Sequence, residues 1–196
     1  MKVGLYFGSF NPIHIGHLII AKNIIENHYL DEVWFVVSPQ NPFKKENTLL
    51  NANHRLQLIK LAIEAENKIK ASNVEFNLPK PSYTINTLTY LREKYPEKEF
   101  AIIMGSDGFQ NIERWKNSKS ILENHEFYIY KRPGFEIQPL EMAKTTIIDG
   151  PALLISSTYI RKLIKERKSI RYLVPDVVKE EIEKMGYYLS ASENPS

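Results

Sequence analysis

Apolar positions fall in two rhythms that alternate along the chain. Lys2 to Phe7 is a short apolar run of strand length, and Gly8 and Ser9 stop it before another apolar stretch begins, which predicts strand, turn and helix. In that helix Leu18, Ile19, Ile20, Ala21, Ile24 and Ile25 are too many for a one-sided stripe, so burial between a sheet and a further layer is expected. A second strand is predicted at Glu32 to Val37. Ser38 to Leu50 carries Pro39, Pro42 and the pair Lys44 and Lys45 without periodicity, the pattern of a long functional or mobile loop. A helix from about Asn53 to Glu66 places Leu56, Ile59 and Ile63 on one face, and a strand is expected at Asn73 to Phe76. Beyond Pro79 and Pro81, Ile85, Leu88 and Leu91 predict a helix from Thr84 to Tyr95.

The alternation continues. Phe100 to Met104 and Glu126 to Tyr130 read as buried strands, with a helix through Trp115 and Ile121 between them. A last strand at about Ala152 to Ile155 runs into Ser156, Ser157 and Thr158, residues suited to capping a helix that carries Ile160, Leu163 and Ile164. Pro175 opens a final helix with Val178, Ile182 and Met185 on one face, closed by Gly186. The pattern predicts an α/β fold: a Rossmann-like, doubly wound parallel sheet covered on both faces, with a small C-terminal helical portion. One domain is expected over 1–189, with a disordered tail at 190–196.

Composition narrows the chemistry. The 196 residues are 43% hydrophobic and 25% charged, enough to bury roughly 70% of the unfolded surface without staples. The absence of cysteine removes thiolate nucleophiles and cysteine-bound zinc. With 26 Lys and Arg against 23 Asp and Glu, the charge of +3 is too small to signal a nucleic-acid binder. MKVGLYFGSF holds an apolar run too short for a signal peptide, and no stretch approaches the roughly 20 apolar residues of a membrane span. The expectation is a cytoplasmic protein with neither nucleic acid nor membrane as partner, its oligomeric state left open, homo-oligomer included.

In such a sheet, ligands bind beyond the carboxyl ends of the strands. At the first end, GSFNPIHIGH sets His14 and His17 three apart on one face of an opening helix, where imidazole N–H groups and the helix amino end suit a polyphosphate; two capping histidines in a crowded turn are the alternative. In ISSTYIR the hydroxyls of Ser157 and Thr158 and the Arg161 guanidinium would converge on a phosphate, or simply cap a helix with a basic face. In GSDGFQNIERW, Asp107 suits ribose hydroxyls or an N-cap, and Trp115 suits an aromatic ring or the core.

These strings resemble the signatures of the HxGH nucleotidyltransferases, and RYLVP at 171–175 resembles the bacterial nicotinate mononucleotide adenylyltransferase branch. The resemblance implies a fold of that type and AMP transfer from ATP to nicotinate mononucleotide, giving deamido-NAD and pyrophosphate in NAD biosynthesis. It implies His14, His17 and Arg161 as catalytic residues, with Mg2+ held mainly by ATP phosphates and no protein metal ligands. To the ATP side it assigns Gly8, Ser9, Phe10, His14, His17, Gly105, Asp107, Ser156, Ser157, Thr158 and Arg161. To the mononucleotide side it assigns Trp115 against the pyridine ring, the PSYTINTL segment with Tyr83 and Thr84 for the nicotinate carboxylate, Lys45 with Lys44 in place of the usual histidine, and Arg55 toward the phosphate. A helix cap for Thr84, a solvated basic loop for the lysines and a surface ion pair for Arg55 stay open as alternatives.

Three other functions compete. Nicotinamide mononucleotide, alone or alongside the acid, differs from nicotinate mononucleotide by one charge. Phosphopantetheine adenylyltransferases usually carry threonine where His14 stands and lack the GxDxxxxxxxW element. A non-catalytic nucleotide sensor would have lost the phosphate-handling residues, all of which are present. HIGH at 14–17 with KNSKS at 116–120 also mimics the aminoacyl-tRNA synthetase pair, but the place of the second motif is held by ISSTYIR.

Overall fold

The computed structural model describes residues 1–40, 49–138, 140–148, 150–151 and 154–189. Six parallel strands form one sheet: β1 (Lys2–Gly8), β2 (Glu32–Val37), β3 (Ile69–Ser72), β4 (Glu99–Gly105), β5 (Glu126–Tyr130) and β6 (Lys144–Ile148). Their order is β3-β2-β1-β4-β5-β6, so the chain reverses its direction of travel across the sheet between β1 and β4. A crevice opens at such a reversal, beyond the carboxyl ends of the two strands.

Every central strand is apolar on both faces because the sheet is covered on both. Val33, Phe35 and Val37 of β2 and Ala101 and Ile103 of β4 join one core cluster. Trp34, Val36, Ile102 and Met104 join the other. The first face is covered by α1 (Ile15–Glu26), α2 (Ala52–Ala62), α6 (Ser157–Lys165) and α7 (Asp176–Met185), whose buried residues enter the first cluster. The second is covered by α3 (Thr84–Lys94), α4 (Ser106–Phe109) and α5 (Ser118–Asn124). Helix α1 is buried on more than one side, as its surplus of apolar residues requires. Its first amide, Ile15 N, donates to Leu173 O in the C-terminal portion at 2.9 Å.

Four expectations need correcting. The strand near residue 73 is β3, four residues earlier, and Val74–Asn77 is a 3-10 turn that buries Val74 and Glu75 under α3. The last strand is Lys144–Ile148, while no strand occurs among the described residues of 149–155. As an edge strand it is mostly exposed and only Ile148 is buried, which removes the apolar signal. The helix through Trp115 is broken into α4, a 3-10 turn at Ile112–Arg114 and α5, leaving Trp115 extended between them. The N-cap of α6 is Ser156, so Ser157 and Thr158 are helical. The tail at 190–196, predicted as disordered, lies outside the described residues. Among the described residues no helix is long and apolar enough to cross a membrane.

Candidate active site

At the end of β1 the chain turns through Phe10 in the left-handed region, φ 45°, a conformation that costs a non-glycine residue about 1–2 kcal/mol. The turn folds the Phe10 ring back over the strand end, edge-on to Phe35 at 5.1 Å and to His17 at 5.0 Å. A Cβ on Gly8 would stand 2.8 Å from that ring, so this position requires glycine. The loop from Ser9 to Asn11 is then fixed from several directions. Asn11 Oδ1 accepts from Leu50 N at 3.1 Å, Arg161 Nη1 donates to Asn11 O at 2.7 Å, and Ser157 Oγ donates to Pro12 O at 2.9 Å.

His14 is the N-cap of α1 and stacks on His17 with ring centroids 3.6 Å apart. Its backbone N–H donates to His17 Nδ1 at 3.3 Å, which makes that nitrogen an acceptor and, in the neutral ring, puts the proton on Nε2. Burial, and then the charge of Arg132, push the pKa of His14 down to about 4. Without a ligand, His14 is therefore a neutral donor at neutral pH.

Ser156 Oγ accepts from Tyr159 N at 3.2 Å, and helix geometry leaves the amides of Ser157 and Thr158 without acceptors inside α6. Arg161, one turn on, also donates through Nη2 to Thr158 Oγ1 at 3.3 Å. At the end of β4 the N-cap of α4 is Gly105, so Asp107 is not the cap; its carboxylate stands 3.3 Å from Arg132 Nε. A Cβ on Gly105 would collide with that carboxylate. Across the crevice α3 begins at Thr84 with Tyr83 as an N-cap that makes no side-chain hydrogen bond; Asn86 N turns back to Tyr83 O at 3.0 Å, and helix geometry gives the Thr84 and Ile85 amides no acceptor inside α3. Lys116 Nζ lies 4.5 Å from the centroid of the Tyr83 ring.

These elements enclose one cleft of about 1000 Å³. Gly8, Ser9, Phe10, His14, His17, Gly105, Asp107, Ser156, Ser157, Thr158 and Arg161 line it, together with Tyr83, Thr84 and Trp115. Trp115 is half-buried and also packs against the second core cluster, so its two readings meet in one position. Lys44 and Lys45 lie outside the described residues. Arg55 does not belong to the lining. It is 1% exposed, and its guanidinium is spent on the backbone carbonyls of Leu50, Ser9, Ser38 and Pro39 at 2.5–3.3 Å, so neither the phosphate contact nor the surface ion pair holds.

Several lining residues escaped the sequence, Arg132 and Glu75 among them. Arg132 follows β5, a strand end that carries no histidine or glycine-rich string, and only its position just past a buried strand pointed to the crevice. Glu75 sits between Val74 and Phe76 in the 3-10 turn, 1% exposed, with Oε1 accepting from Thr87 Oγ1 at 2.9 Å. Burial pushes its carboxyl above the ordinary range. An acid inside a short apolar string was the available signal. No group of three or more His, Asp or Glu among the described residues is placed to hold a metal ion.

Comparison with known proteins agrees with this geometry. A cytidylyltransferase-like family pattern matches residues 5–163. A relative in Flavobacterium johnsoniae, described as a "probable nicotinate-nucleotide adenylyltransferase", is 50% identical over 191 residues, 96% of this chain and 99% of its own. One of the same description in Cytophaga hutchinsonii is 50% identical over 189 residues, 96% of this chain and 98% of its own. In fold, the chain is similar to Plasmodium falciparum nicotinic acid mononucleotide adenylyltransferase complexed with NaAD, with a TM-score of 0.83, 24% identity and coverage of 95% and 97%. Half of the residues are shared along almost the entire length of two curated relatives, and the crevice lies where the sequence signatures put it: the chain belongs to the nicotinate-nucleotide adenylyltransferase family of cytidylyltransferase-like proteins.

Proposed function

We propose that the protein transfers AMP from ATP to nicotinate mononucleotide, producing deamido-NAD and pyrophosphate, and that it does so on soluble nucleotides in the cytoplasm. The carrying observation is the single cleft with two kinds of anion receptor on opposite sides. The amino ends of α1 and α6 with His14, His17 and Arg161 suit a triphosphate, while the side-chain-free amino end of α3 suits a small carboxylate. The relatives' shared description supports the same assignment.

The acceptor phosphate has a second pKa near 6 and is largely a dianion at neutral pH. It is its own nucleophile. One of its oxygens bonds to the α-phosphorus of ATP as the bond from that phosphorus to the α,β-bridging oxygen breaks, that oxygen leaving with pyrophosphate, and no proton has to be removed. Catalysis is then positioning and charge stabilisation. His17 and Arg161 face the phosphates, the α6 amides add backbone donors, and neutral His14 becomes more basic as negative charge enters. The donors around this part of the cleft are cationic or neutral, and the Asp107 carboxylate is paired with Arg132, so the residues fit a divalent ion carried on the substrate rather than held by protein ligands. Mg2+ bound to the ATP phosphates would supply charge neutralisation there.

Nicotinate is favoured over nicotinamide because a carboxylate at the α3 amides forms charge-assisted hydrogen bonds of about 1.5–3 kcal/mol each, and an amide forms weaker ones. Pyrophosphate release from ATP and Mg2+ with each mononucleotide tests both parts. Turnover should favour the acid by about tenfold or more in kcat/KM, as one such bond implies. Silence with both in folded protein overturns the activity; equal turnover overturns the preference.

A further inference from the structure

The KNSKS string at 116–120 opens with a cation that the adenylyl-transfer chemistry leaves unused. Between the 3-10 turn at Ile112–Arg114 and α5 the chain is extended at Trp115 and turns through Asn117 in the left-handed region, φ 57°. That short link sends both Trp115 and Lys116 to the wall of the cleft. Lys116 Nζ lies 4.5 Å from the centroid of the Tyr83 ring, within the range of a cation–π contact. Tyr83 is the N-cap of α3, so the contact sets a full positive charge at the helix end whose Thr84 and Ile85 amides have no acceptor inside α3. Ser82, two residues before that helix, marks the same place independently. It is 9% exposed and lines the cleft, and its hydroxyl oxygen has no hydrogen-bond partner among the described residues.

The charge on Lys116 is unspent. Among the described residues no carboxylate forms a salt bridge with it. The acids that line the cleft, again among the described residues, are Asp107, which stands against Arg132, and Glu75, which is 1% exposed with Oε1 held by Thr87 Oγ1. Backbone amides serve either form of the acceptor, since a carboxamide also offers an oxygen to an N–H. An ammonium adds an attraction that depends on net charge, and only the acid carries that charge.

We propose that Lys116 is a specificity-determining residue for the acceptor: its ammonium, held over Tyr83 at the amino end of α3, pairs with the carboxylate of nicotinate mononucleotide and selects the acid over the amide. The inference rests on the activity proposed above and assigns a charged side chain to the acceptor end of the cleft.

Lys116→Met keeps most of the aliphatic stem and removes the charge. Because the side chain is exposed, the midpoint of thermal unfolding should not move. In pyrophosphate release with ATP and Mg2+, KM for nicotinate mononucleotide should rise roughly fivefold with kcat little changed, the upper end for a solvent-accessible ion pair whose contact is the same in ground and transition states. The inhibition constant of nicotinamide mononucleotide as a competitor should stay the same, and Lys116→Arg should keep KM for the acid near that of the wild type. Added salt should raise KM for the acid more in the wild type than in Lys116→Met. An unchanged KM for the acid, an equal loss for both mononucleotides, or a fall in kcat in place of the rise in KM would each overturn the proposal while leaving the activity standing. The equal loss would put the ammonium at the phosphate that both mononucleotides share. A wild-type enzyme silent with both mononucleotides overturns the activity itself, and this role with it.

Discussion

Replacing Arg55 by methionine should destabilise the protein by about 4 kcal/mol, most of it through carbonyl oxygens left without donors. The side chain is 1% exposed and donates Nε to Leu50 O, Nη1 to Ser9 O and Ser38 O, and Nη2 to Pro39 O. Methionine is similar in length and donates nothing. Pro39 and Leu50 are half-buried, so their carbonyls recover water, but Ser9 and Ser38 are 4% and 7% exposed and theirs do not. Each orphaned buried acceptor costs about 1–3 kcal/mol, which puts the pair at roughly 2–6 kcal/mol. That is a large share of a typical total of about 5–15 kcal/mol. Arg55→Lys keeps the charge but loses the planar fork that reaches several carbonyls at once, so it should lose most of the same stability. Urea unfolding followed by the fluorescence of Trp34 and Trp115 gives midpoint and slope for all three proteins. A methionine variant within about 1 kcal/mol of wild type at the same slope would refute the argument, because the two orphaned carbonyls alone should cost more. If that stable variant also showed a raised KM for the mononucleotide alone, Arg55 would be a phosphate ligand after all.

His17→Ala should lower kcat by about two orders of magnitude or more, the cost of removing one preorganised donor, with a modest loss of stability because its ring packs on Phe10 and His14; near-normal turnover in steady-state assays would remove it from the chemistry. Trp115→Ala should weaken mononucleotide binding by about 1–3 kcal/mol if the indole stacks on the pyridine ring, and calorimetric titration showing unchanged affinity with lowered stability would leave it a core residue only. The pKa of His14 is about 4 when folded against 6.5 for the free side chain, so below pH 6.5 the unfolded chain takes up a proton that the folded one refuses. Stability should therefore decline as pH falls from 6.5 toward 4, by about 3 kcal/mol for this residue, and His14→Asn should flatten that slope in urea unfolding at stepped pH. An identical slope in the variant would mean that His14 is not held neutral by burial.

Much of this molecule is local and was therefore readable along the chain. The two-sided apolarity of β1, β2, β4 and β5 follows from a sheet covered on both faces, and it predicts a parallel α/β fold without any knowledge of pairing. The strand ends at Gly8 and Gly105 and the helix cap at Ser156 were legible, because backbone that must turn sharply or cap a helix needs particular residues. Fourteen of the residues that the resemblance assigned to the site line the cleft. Where a local signal is weak, the reading failed. The edge strand β6 is too exposed to look like a strand, and in Val74–Asn77 the apolar residues Val74 and Phe76 pack against the two core clusters from a 3-10 turn rather than from a paired strand.

Tertiary structure alone decided the rest, because charge and hydrogen-bond partners depend on what folds against a side chain. The same arginine chemistry is spent on four carbonyls at Arg55, balances Asp107 at Arg132 and lines the cleft at Arg161. A buried imidazole at His14 loses its charge. Spacing along the chain fixes which residues share a face. Desolvation and the distant partners that relieve it are properties of the packed interior, and they set what each of those residues does.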